Sequence, residues 1–467
     1  MISRSFLARN AQQAARRFCS VRPTQQRGFA AAASAGAFEA TDANGLKVAS
    51  RETHGPTTKL AIVAKAGTRY QPLPGLTCVA LSAVPSLMRI LTESQKNTQK
   101  RSGLRIYRES ELLGGQLTAS HTREALVVGA SFLKDNLPYF AELLAEVVTQ
   151  TKYTTHEFHE DVERVLHLRQ AINSSNVPAI ALDNAHAVAF HTGLGAPLTP
   201  YSAVPAQKYL NEEHVASYAD AVYTKPNIAI VAEGANTQTL SRWVSQFFKD
   251  VPASSQSGQS LKAEATKYFG GEQRIANPAG NSMVVAFPGS DINASKPEIA
   301  VLASLLGNQP SIKWSPGFSL LSKAAAATPG LSASASSLAY SDAGLLAIQL
   351  TGAAASVRKG AEDAVKALKA IAQGSVSKDD VSKAVANAKF DALDKAQLRD
   401  SSILLAGNGI ISNGKPLDIA SIGQSFDAVN VDKLKTVAKT LLDGKATVST
   451  VGDLFVLPYA EEIGLRV

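Results

Sequence analysis

No aspartate or glutamate precedes Glu39, and the first 29 residues contain no lysine. That opening carries six arginines instead, at positions 4, 9, 16, 17, 22 and 27. Ser, Ala and Gln separate them, and Ile2, Phe6 and Leu7 give an apolar face. An arginine-rich, acid-free amphipathic start is the signature of a mitochondrial transit peptide. Arg27-Gly28-Phe29, before an alanine run, reads as a matrix-peptidase cleavage site, so residues 1–29 are expected to be removed. Lys+Arg then falls from 47 to 41 against 39 Asp+Glu, a net charge near +2. The basic pI thus belongs mostly to the removed segment, and basicity gives no case for a nucleic-acid partner.

Cysteine is almost absent. Of the two in the chain, Cys19 leaves with the transit segment and Cys78 remains. One thiol allows no internal disulfide and no cysteine-built zinc site. There is no run of 18 or more apolar residues, which removes a membrane-spanning helix. No P-loop, dinucleotide fingerprint, haem motif or serine triad rises above chance.

The most informative stretch runs from Tyr107 to Gln170. Gly114-Gly115 breaks a short helical run, since glycine enters positive φ without steric cost. Gln116–Thr122 and Glu124–Leu133 read as two antiparallel strands. Asp135, Asn136 and Pro138 start a helix whose apolar stripe is Leu137, Phe140, Leu143, Leu144, Val147 and Val148. Thr154 and Glu157 form a capping box for another helix.

This unit occurs twice. Leu331-Ser-Ala-Ser stands for Leu117-Thr-Ala-Ser, and Gly344 to Leu350 for the second strand. Val365, Leu368 and Ile371 repeat the helical stripe, and Ser377 and Asp380 repeat the capping box. Leu60 and Met283 begin matching apolar strands 223 residues apart, and Asn211–Gly234 matches Asn430–Gly452. Order, spacing and caps agree together, which indicates tandem duplication. The polar segment Pro252–Ser260 lies between the copies. The expected organisation is a transit segment 1–29, a first domain 37–250, a linker 251–272 and a second domain 273–467. Each domain is expected to be α+β, a mostly antiparallel sheet with helices mainly on one face.

Leu112-Leu-Gly-Gly before the hairpin, Thr122-Arg-Glu at its turn, and Leu133-Lys-Asp-Asn-Leu-Pro before the helix resemble the mitochondrial processing peptidase and pitrilysin-type metallopeptidases. The resemblance covers essentially the whole chain after residue 29 and implies two tandem peptidase-like domains. Tyr107–Gly115 and the tail Val451–Ala460 are similar to the non-catalytic branch that serves respiratory complex III. That branch implies a structural and assembly role on the matrix side of the inner membrane, with no haem, quinone or iron–sulfur cofactor. It also implies as partners core protein 1, cytochrome b, cytochrome c1, the Rieske iron–sulfur protein and small subunits of a dimeric complex. Membrane attachment would be through those partners only. The alternative is a subunit of the zinc-dependent processing peptidase.

Active relatives carry H-x-x-E-H, which puts two imidazoles on one helical face and a general base between them, with a distant glutamate completing the zinc site. Here Gly75-Leu76 is followed by Cys78 and Ser82 at the histidine positions and Leu81 at the base position. No histidine lies between His54 and His121, and no glutamate between Glu163 and Glu212, so the distant position near Val165 is also empty. No catalytic, cofactor-binding or metal-binding residues are therefore expected. His156-Glu-Phe-His-Glu160 mimics the motif, but His156 and His159 are 300° apart on a helix and His167 a further 80°, at about 100° per residue. They share no narrow stripe and read as a solvated face. Residues 78–95 are in excess over the second copy and hold Pro85 within an apolar helix-like run; they read as translated intron. Ala324–Gly344, rich in Ala and Ser, reads as a surface loop and hairpin, without the glycine-rich loop that handles presequences in the peptidase.

Overall fold

A computed structural model describes residues 37–73, 77, 97–157, 163–198, 210–258, 261, 265–292, 296–307, 317–417 and 419–467. The first sheet is built from β1 (Glu39–Ala43), β2 (Leu46–Arg51), β3 (Thr57–Ala64), β4 (Gln116–His121), β5 (Leu126–Leu133) and β6 (Ile228–Glu233). The second holds β7 (Gly271–Ala276), β8 (Asn281–Pro288), β9 (Leu331–Ala339), β10 (Gly344–Gly352) and β11 (Thr447–Gly452). The first runs β1-β2-β6-β3-β5-β4 and the second β7-β11-β8-β10-β9. With β1 set aside the two orders correspond strand for strand. In each sheet one pair is parallel, β2 with β6 and β7 with β11, and the other pairs are antiparallel.

The register carries the duplication further. Leu60 lies between Ala130 and Ala232, and Met283 lies between Leu350 and Thr450. Leu117 faces Ala130, and the residue facing Leu350 is Ala333. The counterpart of Leu117 is therefore Ala333, two residues beyond the sequence match at Leu331. A slip of two keeps side chains on the same face, which is why alternation alone did not expose it.

The turn of the first hairpin is longer than its sequence suggests, taking in Thr122–Ala125. Ala125 N–H and Glu124 N–H donate to Thr122 Oγ1 at 3.0 and 3.3 Å, and Thr122 N–H donates to Ala125 O at 2.8 Å. The second strand accordingly starts at Leu126 instead of Glu124. Gly114 enters this region at φ 67°, and a Cβ on Gly115 would meet the Phe140 ring at 2.1 Å. That close approach requires glycine.

The helices of the first half are α1 (Gly103–Leu112), α2 (Leu137–Thr149), α3 (Glu163–Ser175), α4 (Val177–Phe190), α5 (Glu212–Val222) and α6 (Thr237–Phe247). Those of the second are α7 (Pro297–Leu306), α8 (Leu320–Ala327), α9 (Ala354–Gln373), α10 (Lys378–Gln397), α11 (Arg399–Asn413), α12 (Ile419–Ser425) and α13 (Val431–Asp443). The expected stripe of α2 is buried throughout, and Phe140 stacks on Phe132 at 4.4 Å. It packs with α5 and α6 against one face of the first sheet, where Ile62, Tyr218 and Leu240 meet. α9 and α13 do the same for the second, around Leu350, Leu368 and Leu434. Ser377 caps α10 by accepting from Asp379 N–H at 3.1 Å. Ala324–Ala327 is the end of α8, so the expected Ala/Ser loop is part helix before its hairpin.

Each sheet is also covered on its other face, by a helix from the opposite half. Val177, Ala181, Ala185, Ala189 and Phe190 of α4 pack on Val284, Ala286, Leu345, Ala347 and Val451 of the second sheet. Reciprocally, Ile403, Ala406 and Ile410 of α11 pack on Ala49, Ala61, Val63, Ala229 and Val231 of the first. Ala-rich faces let these helices lie close, and both sheets are buried on two sides.

The start of the connecting segment is clipped to α5. The Asp220 carboxylate accepts from Ser255 Oγ at 2.6 Å, Ser257 Oγ at 2.8 Å, Ser257 N–H at 2.9 Å and Gln256 N–H at 3.3 Å. Burial would raise this carboxyl, but the hydrogen bonds outweigh it and hold the pKa at about 2. Because the folded value is depressed, the stabilisation is present above the ordinary aspartate range and is lost as pH falls from about 4 to about 2. Asp220→Ala should leave both cores folded while broad-specificity proteolysis at residues 252–258 accelerates several-fold; mapping of the first cleavage products checks this.

Candidate functional site

The polar side chains that the fold brings together line the seam between the halves. Thr122–Ala125, the turn between β4 and β5, meets the turn between β9 and β10 and the face of α4. Arg69, following β3, is 4% exposed at its side chain. It donates to Glu124 Oε1 at 2.7 Å and Ser341 Oγ at 3.0 Å, and to both Asp342 oxygens at 2.7 and 2.5 Å. Ser341 donates its N–H and Oγ–H to Glu124 at 3.0 and 2.6 Å. Thr266 donates its N–H and hydroxyl to Asp342, both at 3.1 Å. One buried guanidinium thus joins a turn from each sheet, and the end of the connecting segment binds the same carboxylate. Burial would raise the Asp342 carboxyl, yet the Arg69 and Thr266 bonds hold it below the usual range.

Arg123, the neighbour of Glu124, reaches the other way. It pairs with Asp183 of α4 and donates to Leu194 O at 2.9 Å and Ala196 O at 2.5 Å, fixing the end of α4. Burial pushes the Asp183 carboxyl up, against the pull of Arg123. His186 of α4 places Nδ1 2.7 Å from Leu182 O and Nε2 2.8 Å from Tyr340 Oη. A carbonyl only accepts, so Nδ1 carries the proton and Nε2 accepts from the tyrosine. Burial, assisted by the charge of Arg123, lowers the imidazole pKa to about 3, so this ring is neutral.

The opposite end of the first sheet has a second fastening. Arg51 Nη2 lies 2.9 Å from Glu233 Oε1 and donates to Ser402 Oγ at 3.2 Å, and Ser402 donates to Glu233 Oε2 at 3.1 Å. Arg399 donates to Thr57 Oγ1 at 3.0 Å, and Lys59 pairs with Asp400. These bonds anchor the first turn of α11 over strands from the other half.

The residues expected at the degenerate metal position are only partly placed. Cys78, Leu81 and Ser82 lie outside the described residues, as do His159 and the whole of 78–95. Thr77, just before them, is buried; its N–H donates to Gln71 Oε1 at 3.1 Å, and its hydroxyl lies 3.1 Å from Tyr218 Oη. Tyr218 donates to Ala66 O at 2.9 Å, so this point is tied to α5 and to the end of β3. Val165 belongs to α3 by its backbone. His156 and His167 are exposed. Among the described residues no group of three His, Cys, Asp or Glu side chains is disposed to hold a metal ion. The arrangement can fasten and orient surfaces.

The motif Thr122-Arg-Glu marks this turn in the sequence, and both its charged residues enter the seam. No motif marks Arg69, Asp183, His186, Tyr340 or Asp342. Their signal is faint, because each is a single polar residue in an otherwise apolar or turn context, and its partner lies up to 273 positions away.

Comparison with known proteins accords with this architecture. Residues 93–200 match the insulinase (peptidase family M16) profile, and residues 209–388 match the peptidase M16 inactive domain. The cytochrome b-c1 complex subunit 2 of Neurospora crassa is 56% identical over 469 residues, covering 100% of each chain. The protein of that name from Cryptococcus neoformans is 35% identical over 434 residues, 91% of this chain and 94% of its own. The human one is 27% identical over 427 residues, 90% of each. Full-length identity of this order, on a duplicated M16-type fold, means that the chain belongs to the family of mitochondrial cytochrome b-c1 complex subunit 2 proteins.

Proposed function

We propose that this chain is a non-catalytic core subunit of mitochondrial respiratory complex III, with a structural and assembly role on the matrix side of the inner membrane. The match along the whole chain to a cytochrome b-c1 complex subunit 2 carries the reading. The M16 inactive domain supports a role without hydrolysis. So does the use of the buried polar groups at the seam, which join the two halves. No helix among the described residues is long and apolar enough to cross a membrane, which is consistent with attachment through other subunits. Residues 1–29 act as the transit segment, and 37–250 and 273–467 form the peptidase-like halves around the connecting segment 251–272. Core protein 1, cytochrome b, cytochrome c1, the Rieske protein and small subunits are the partners. The comparisons do not favour the alternative, a subunit of the processing peptidase.

On a native gel of mildly solubilised mitochondria the chain is expected to migrate with cytochrome b. The purified protein should bind less than about 0.1 zinc per chain, as a site lacking its ligands holds no metal, and should leave presequence peptides uncut. A soluble, zinc-loaded chain that trims leader peptides would reverse the proposal. Residues 78–95 are proposed as translated intron; spliced transcripts that retain these codons would remove that part.

A further inference from the structure

We infer that the two halves of this chain are partners in the way that two subunits are: each recognises the other by the helix it lends, and the pairing does not need the peptide that joins them. α4 begins at Val177, with only Asn176 between it and α3, and α11 begins at Arg399, with only Leu398 between it and α10. The offset, 399 − 177 = 222, is within one residue of the offset between Leu60 and Met283. α4 and α11 are thus the same helix of the repeat, and each has crossed to the other half. Reciprocal exchange of one element between two like bodies is the arrangement of a swapped dimer, here within one polypeptide.

The exchanged faces are apolar and closed. Ala181, Ala185 and Ala189 are buried on the second sheet, and Ile403, Ala406 and Ile410 on the first. A half on its own would bare both a sheet face and the helix it lends, more apolar surface than a soluble body leaves in water. Polar bonds choose the partner. Lys47 Nζ donates to Ile410 O at 3.0 Å, Lys59 pairs with Asp400, and Arg69 binds Asp342, with the cation always in the first half. In the other direction Gln349 Nε2 donates to Pro178 O at 2.8 Å. At the same offset the position in α4 that matches Asp400 is Pro178, so a second copy of the first half would leave Lys59 without that carboxylate. The fit is therefore to the unlike half. The joining peptide is held by each side separately. Its start is clipped to Asp220 of the first half, and near its end Thr266 bonds Asp342 of the second. Gly258, between them, is exposed at φ 70°, and a Cβ there would meet nothing within 4 Å. The connection acts as a tether that raises effective concentration.

The test inserts a protease recognition sequence after Gly258 of the full chain and cleaves it once the protein has folded. The two fragments should co-elute in equal amounts on gel filtration at micromolar concentration. The urea midpoint of the uncut chain should not depend on protein concentration, whereas that of the cut protein should fall with each tenfold dilution, because unfolding has become dissociation. Fragments that part in buffer would overturn the inference. So would fragments that co-elute yet unfold at a midpoint independent of concentration, since neither half would then depend on the other. Ile403→Ala adds a second arm, because it trims the lent face of α11 and leaves both cores untouched. The cut pair should bind at least about tenfold more weakly, while the uncut variant remains one species. Unchanged affinity would also count against it.

Discussion

Gly407→Val is expected to cost about 3 kcal/mol of stability and to weaken both halves together. Gly407 lies in α11 where that helix crosses β3, and a Cβ there would sit 2.5 Å from Val63 Cγ2. The neighbours cannot yield easily: Val63, Ala61 and Val231 are fully buried between α11 on one side and the first core on the other. The larger side chain must lift α11, which uncovers Ile403 and Ile410 and pulls on the Arg51–Glu233–Ser402 fastening. Urea unfolding followed by circular dichroism should show one transition at a lower midpoint. A loss under about 1 kcal/mol, or two separated transitions, would show that α11 is not an integral layer of the first sheet.

The second large effect belongs to Arg69. Arg69→Met keeps the stem volume but leaves Glu124 and Asp342 facing each other in a half-buried seam without their cation. Removing one partner of a buried ionic cluster costs about 3 kcal/mol or more. Its pH dependence identifies the cause. In the wild type the depressed Asp342 pKa means stability that is present above the ordinary aspartate range and lost as pH falls through the folded value. In the variant the Asp342 carboxyl rises, because burial and the neighbouring Glu124 charge are then opposed by the Thr266 bonds alone. The deficit relative to wild type should therefore be largest at pH 7 and should shrink as pH falls toward 5. Paired urea midpoints at the two pH values measure this, and a deficit that grows on acidification would refute the assignment.

Local signals were strong where the chemistry is local. The stripe on α2, the glycine pair before β4 and the serine cap of α10 could all be read directly, because each rests on neighbours within four residues. The duplication was readable too, since strand order and spacing survive when identities do not. The two-residue slip at Ala333 was not, because alternation has a period of two. Nor was the exchange of α4 and α11, although a clue was present. VPAIALDNAHAVAF and RDSSILLAGNGIISN are apolar around much of their circumference, as helices buried on several sides must be. What such a helix packs against depends on chain path, which no local pattern encodes. For the candidate site, the sequence gives an expectation about the metal positions, most of which lie outside the described residues, whereas the seam is made of single charges whose meaning comes only from their distant partners.

The crossing of α4 and α11 has a consequence for how this polypeptide reaches its final state. A chain that enters a compartment amino end first presents the first sheet long before residues 399–413 arrive to roof it. Throughout that interval Ala61, Val63, Ala229 and Val231 form a bare apolar floor, the kind of surface that sticks to its neighbours. Completion is deferred until nearly the whole length has been delivered. Once closed, neither lobe can come apart without unroofing the other, and resistance to disassembly becomes a property of the entire molecule.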